Sequence, residues 1–158
     1  MRTENNKTKS LQKQCNIFHV NTGSCNGCDI EVLDAITIWS AENVEVKFVE
    51  PQNAHVAIIT GPMTVKAFKF VLEAIKKMPM RLIIAVGACA VGGGIWRSSY
   101  STLGGFHEAL KLLNEQGIKI DKVVYVPGCP VRPESVIRGF KILFNEERPS
   151  IKYQSFEA

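Results

Sequence analysis

Short apolar runs alternate with amphipathic stretches along this chain, so the pattern predicts strands and helices in turn. Residues 16–20 (NIFHV) read as a short strand entering NTGSCNGC, a loop of turn formers and small residues. Residues 29–39 follow at helical spacing through Ile30, Leu33 and Ile36. Residues 44–49 (VEVKFV) alternate like a half-exposed strand, and residues 55–60 (HVAIIT) form a compact apolar strand stopped by Gly61-Pro62. Residues 64–77 are an amphipathic helix with Phe68, Val71, Leu72 and Ile75 on one face. Residues 81–86 (RLIIAV) are the most apolar strand and belong at the centre of a sheet. GACAVGGG reads as a loop, residues 103–116 as a helix closed by Gly117, and residues 122–126 (KVVYV) as the last strand. Pro127-Gly128-Cys129-Pro130 breaks that strand, and Pro133 suits the first position of a helix running to about Asn145.

Alternation of this kind predicts an α/β fold, a doubly wound parallel sheet with helices on both faces. The domain is expected over residues 15–148, between a flexible basic N-terminal tail, 1–14, and a C-terminal tail, 149–158. In such sheets ligands collect beyond the carboxyl ends of the strands. Four cysteines obey that rule: Cys25 and Cys28 follow the first strand, Cys89 the strand at 81–86, and Cys129 the last.

Composition narrows the class. Hydrophobic residues at 46% and charged residues at 22% suit a soluble globular domain. No apolar run approaches the ~20 residues that span a bilayer, so any membrane association is expected through partner proteins. Residues 1–14 hold no apolar signal-peptide core, which points away from export by that route. Much of the net charge of +4 lies in that segment, where Arg2, Lys7, Lys9 and Lys13 face only Glu4. Elsewhere no basic run marks nucleic acid as a target.

Five cysteines without an export signal argue against a disulfide framework and for metal or redox chemistry. Cys25 and Cys28 form one C-x2-C pair, whereas Cys89 and Cys129 stand alone, separated by 60 and 39 residues from the cysteine before each. Four thiolates commonly hold an iron–sulfur cluster. Structural zinc sites usually use two close pairs, so a zinc-stabilised binding module without redox chemistry is the weaker reading. Buried structural cysteines pack as small hydrophobes, yet these four lie beside Gly27, Gly87-Ala88, Gly128 and Pro130, small or rigid residues that let backbone approach a bulky group. Cys15 lies at the entrance to the first strand, outside any such loop, and reads as a bystander.

GSCNGCDIE at 23–31, TGPMT at 60–64, GACAVGGG at 87–94 and PGCPVRPE at 127–134 together resemble the small, proximal-cluster subunit of group 4 energy-converting Ni-Fe hydrogenases. That family is related to the complex I subunit carrying the cluster next to the quinone site. The resemblance covers about residues 16–145. Complex I subunits typically carry two adjacent cysteines at the first position, whereas Cys25-Asn26-Gly27-Cys28 is the separated hydrogenase form. Val131 departs from the usual PGCPPRPE. The resemblance implies a flavodoxin-like domain holding one 4Fe-4S cluster on Cys25, Cys28, Cys89 and Cys129, as an electron-transfer subunit that is not catalytic alone. Implied partners are a Ni-Fe hydrogenase-type large subunit, a ferredoxin-like iron–sulfur subunit and antiporter-like membrane subunits, on the cytoplasmic side of the cell membrane. The same subunit type in a complex I-like enzyme reducing a quinone or sulfur compound is the alternative.

Other residues carry two readings each. Arg132 could raise the cluster's potential or pair with a partner carboxylate. Trp96 and Arg97 suit an interface or an ordinary surface. Asp29 and Glu31 could join a proton path or serve as negative charge at a helix N-terminus. His19, His55 and His107 are scattered and read as structural. GACAVGGG lacks the lysine and hydroxyl of a P-loop, which makes nucleotide binding a weak signal.

Overall fold

The computed structural model describes residues 14–42 and 44–144. The expected tails, and residues 145–148 of the expected domain, lie outside them. Five parallel strands, β1 (Gln14–Asn21), β2 (Glu45–Phe48), β3 (Val56–Thr60), β5 (Leu82–Val86) and β7 (Lys122–Val126), form one sheet in the order β2-β1-β3-β5-β7. Taken alone these strands run 2-1-3-4-5, the flavodoxin-like order. Register is continuous across the centre, with His19 beside Ile58, Ile58 beside Ile84, and Ile84 beside Val124. Strands β3 and β5 are buried at every position, as parallel strands covered on both faces must be.

Each face has its own core. Helices α1 (Gly27–Ala41) and α5 (Pro133–Leu143) cover one face through Val32, Ala35, Ile36, Trp39, Val136, Ile137 and Phe140. Trp39 and Phe140 meet there with ring centroids 4.6 Å apart, a contact that adds to their area burial. On the other face lie α2 (Val65–Lys77), the short α3 (Ala88–Gly92) and α4 (Phe106–Glu115), packed through Val71, Ile75, Ala90, Phe106 and Leu113. Local signals account for several boundaries. The Thr64 hydroxyl caps α2 by accepting the Ala67 N–H at 3.2 Å. Pro133 opens α5, where a missing N–H costs nothing. Lys122 donates to the carbonyls of Ile142 and Leu143 at the end of that helix.

Two expectations need correction. GACAVGGG is not a plain loop, because Ala88–Gly92 is helical. The helix expected from Leu103 begins at Phe106, and Leu103 instead lies in β6 (Thr102–Gly104). That strand pairs antiparallel with β4 (Met63–Thr64), a two-residue strand absent from the hydrophobic pattern. Such short pieces carry too few residues for a period, and a partner far along the chain creates them.

Candidate functional site: a cysteine-bordered cleft at the strand ends

The carboxyl ends of β1, β3, β5 and β7 lead into four loops that meet at one edge of the sheet. The loop after β1 carries Cys25 and delivers Cys28 into the first turn of α1. Cys89 sits in α3, directly after β5, and Cys129 lies in the loop after β7. Two of the four thiols therefore stand on helices rather than in Gly/Pro loops, contrary to the sequence expectation. Cys25 and Cys129 are exposed, Cys28 and Cys89 partly buried. Cys15 is fully buried in the α1/α5 core, where burial pushes its thiol up to about 12.

Backbone contacts join these loops. Gly87 N–H donates to the Val126 carbonyl at 2.8 Å, and Ala88 N–H to the Gly128 carbonyl at 2.7 Å, so the Cys89 and Cys129 segments are held together. The Val131 N–H donates to the Cys28 sulfur, tying the first loop to the last. Glycines line this cleft because nothing larger fits. A Cβ on Gly87 would lie 2.5 Å from the Cys28 Sγ, and one on Gly94 2.8 Å from the Cys89 Sγ. Gly61 packs so closely on the cysteine loop that a Cβ there would run into the Ser24 nitrogen.

The thiols act on one another. Burial pushes the Cys28 thiol up, the Val131 N–H draws it back, and the charges of Cys129, Cys25 and Asp29 push it up again. Cys89 is raised by burial first, then by Cys129, Cys25 and Cys28. Like charge from the neighbouring cysteines thus disfavours a thiolate at Cys28 and at Cys89. Among the described residues, no three Cys, His, Asp or Glu side chains converge tightly enough for one metal ion.

One part of the site is invisible in the linear chain. Asp29 is a hydrogen-bond hub. Its Oδ1 accepts from Thr60 Oγ1 at 2.7 Å, His19 Nε2 at 3.0 Å and Asn21 Nδ2 at 3.3 Å, and its Oδ2 accepts from the Ser24 hydroxyl. The reading of Asp29 as simple negative charge at a helix start thus covers only part of its role, and His19 belongs to the same network. Burial lowers the His19 imidazole's pKa, against the opposing pull of Asp29. Arg132, Trp96 and Arg97 are exposed on the surface, and Glu31 is half-buried on α1. His55 lies apart, its Nδ1 accepting the Asn16 N–H at 3.2 Å.

A five-stranded parallel sheet in flavodoxin-like order, with Cys25, Cys28, Cys89 and Cys129 at its strand ends, defines the class: an α/β domain with its candidate site at the carboxyl edge of the sheet. The particular family is shown by comparison: the chain belongs to the NADH ubiquinone oxidoreductase 20 kDa subunit family, whose model matches residues 25–143. It is 35% identical over 164 residues to the probable membrane-bound hydrogenase subunit mbhJ of Pyrococcus furiosus, covering 95% of this chain and 92% of that protein. It is 37% identical over 94 residues to an NADH-quinone oxidoreductase subunit of Rubrobacter xylanophilus, covering 59% of this chain but only 34% of that protein. The fold matches a chain of the membrane-bound sulfane sulfur reductase, an archaeal respiratory membrane complex, with a TM-score of 0.61 at 22% identity over 88% of this chain and 73% of that one.

Proposed function

We propose that this chain is the electron-transfer subunit of a membrane-bound oxidoreductase complex and holds one 4Fe-4S cluster on Cys25, Cys28, Cys89 and Cys129. The observation that carries the reading is the gathering of four cysteines from three separate strand ends at one edge of the sheet, where Gly87 and Gly94 leave room for the Cys28 and Cys89 sulfurs. Structural zinc sites usually use two close cysteine pairs, whereas this chain has one, Cys25 and Cys28, with Cys89 and Cys129 standing apart in sequence. Bound there, the cluster supplies one-electron redox chemistry. The chain's own residues supply the thiolates and the Val131 N–H to a sulfur. Each of these tunes a cluster's potential.

Within the family, the hydrogenase type is favoured. The match to the hydrogenase subunit runs over 95% of this chain, against 59% for the NADH-quinone oxidoreductase relative. The C-x2-C spacing of Cys25 and Cys28 agrees. The chain then docks on a Ni-Fe hydrogenase-type large subunit, receives electrons from a ferredoxin-like subunit, and is carried on antiporter-like membrane subunits at the cytoplasmic side. It is not catalytic alone. Two features support docking. No helix among the described residues is long and apolar enough to cross a membrane. The outer face of α1, which starts at the cysteine loop, leaves Ile30, Leu33 and Ile38 at 59%, 53% and 44% exposure, an apolar stripe that marks an interaction surface.

Anaerobically purified full chain is expected to be brown, with about four irons per chain. One zinc and no iron refutes the cluster. The large subunit copurifying with the chain is expected to carry two C-x-x-C pairs, and loss of either pair refutes the hydrogenase type while leaving the cluster assignment standing.

A further inference from the structure

The C-terminal end of β1 turns into α1 through a loop that no regular structure supports, yet its side-chain bonds over-determine it. Asn21 Oδ1 accepts the N–H groups of Gly23 and Ser24 at 2.9 and 2.8 Å, and its amide donates to Asn26 Oδ1 at 3.0 Å. Ser24 Oγ accepts the Asn26 N–H at 2.9 Å, which helps hold Asn26 in the left-handed region at φ 68°. All these bonds lead to Asp29. Ser24 and Asn21 reach it from the loop, His19 from β1 and Thr60 from the end of β3. Thr60 is fully buried and the Asp29 side chain is 14% exposed.

We propose that Asp29 is a positioning residue for the cluster: its carboxylate locks the Cys25–Cys28 loop to the ends of β1 and β3, and its charge holds the cluster's reduction potential down. The inference rests on the cluster reading above. Adding an electron to a thiolate-held cluster adds negative charge, and a fixed anion beside one ligand opposes it. Screening is weak because the carboxylate is mostly shielded from water. Asp29 follows Cys28 in the first turn of α1 and binds the hydroxyl of Ser24, the neighbour of Cys25, so its charge sits beside both ligands of the first loop. Thr60 separates the two roles, since removing its hydroxyl weakens the lock and leaves the charge.

The test is the midpoint potential of the cluster in the full chain, followed by low-temperature EPR during redox titration. Asp29→Asn keeps the shape and removes the charge. It is expected to favour the reduced state about tenfold, a rise of about 59 mV for one electron. Thr60→Val is expected to leave the potential in place and to speed iron loss to a chelator. A cluster in Asp29→Asn at the unaltered potential overturns the inference. If Asp29→Asn folds but takes up no iron, Asp29→Glu, which restores the charge, is expected to bring back both iron and the low potential; failure of that rescue also overturns it. Wild-type chain with no cluster signal overturns the cluster reading and this inference together, whereas a normal cluster with an unmoved potential overturns this inference alone.

Discussion

Replacing Gly87 by alanine puts a methyl group where the Cys28 sulfur lies. The new Cβ would stand 2.5 Å from that sulfur, 3.5 Å from the Cys28 Cβ and 3.6 Å from the Gly128 carbonyl oxygen, and contacts under 3.0 Å do not persist. Gly87 also holds φ at +93°, a region that costs a side chain about 1–3 kcal/mol. Overpacking adds about 1–3 kcal/mol. The cheapest relief is for the Cys28 side chain to leave its rotamer, because the backbone of Gly87 is pinned by its bond to Val126. The thiol then points away from the cleft. The matched control is Gly92→Ala in the same segment, where an added Cβ meets nothing within 4 Å. Iron and sulfide per chain, with circular dichroism to confirm folding, are expected to show Gly87→Ala folded but depleted of iron, and Gly92→Ala fully loaded. Gly87→Ala with as much iron as Gly92→Ala would refute the cleft as the cluster site.

Cys89→Ser is expected to abolish iron binding. Cys15→Ser is expected to keep it while lowering the thermal midpoint, since a hydroxyl buried there without a partner costs about 1–3 kcal/mol; iron loss in Cys15→Ser would contradict the ligand set. Trp39→Ala removes a side chain at 3% exposure that packs at a tilt against Phe140, and is expected to cost about 3–5 kcal/mol in denaturant unfolding of the cluster-free chain; less than about 1 kcal/mol would show that the α1/α5 core is not as described. Burial lowers the His55 imidazole's pKa, and its Nδ1 accepts the Asn16 N–H only when neutral. The unfolded chain therefore takes up the proton first. The stability this group contributes is full above its unfolded pKa near 6.5 and is lost as pH falls through the lower folded value. The thermal midpoint is expected to drop between about pH 7 and 5, and His55→Gln to flatten part of that drop; a mutant with the full wild-type slope rules His55 out.

Much of this fold follows from local signals. Strands β3 and β5 announce themselves as continuous apolar runs because both of their faces are covered. Thr64 and Pro133 mark helix starts by the hydrogen-bonding needs of a first turn. The placement of all four cysteines beyond strand ends follows from strand–helix alternation, so even the shared edge was legible. What escaped was short or relational. Helix α3 has five residues, three of them Gly or Ala at 88, 90 and 92, and shows no period. Leu103 carries the apolar character of the helix after it, and becomes a strand only because Met63 pairs with Gly104.

The linear chain determined the residue types: four thiols, glycines beside them, and a carboxylate next to Cys28. Tertiary structure decided what each one meets. Gly87 must stay small because Cys28, distant in sequence, lies over it. Asp29 looks like ordinary helix-start charge until β1 brings His19 and β3 brings Thr60 to the same oxygen. Periodicity records which face of an element is buried, which is a property of each segment alone. Contacts across a parallel sheet depend on which strands lie side by side, and only the folded register decides that.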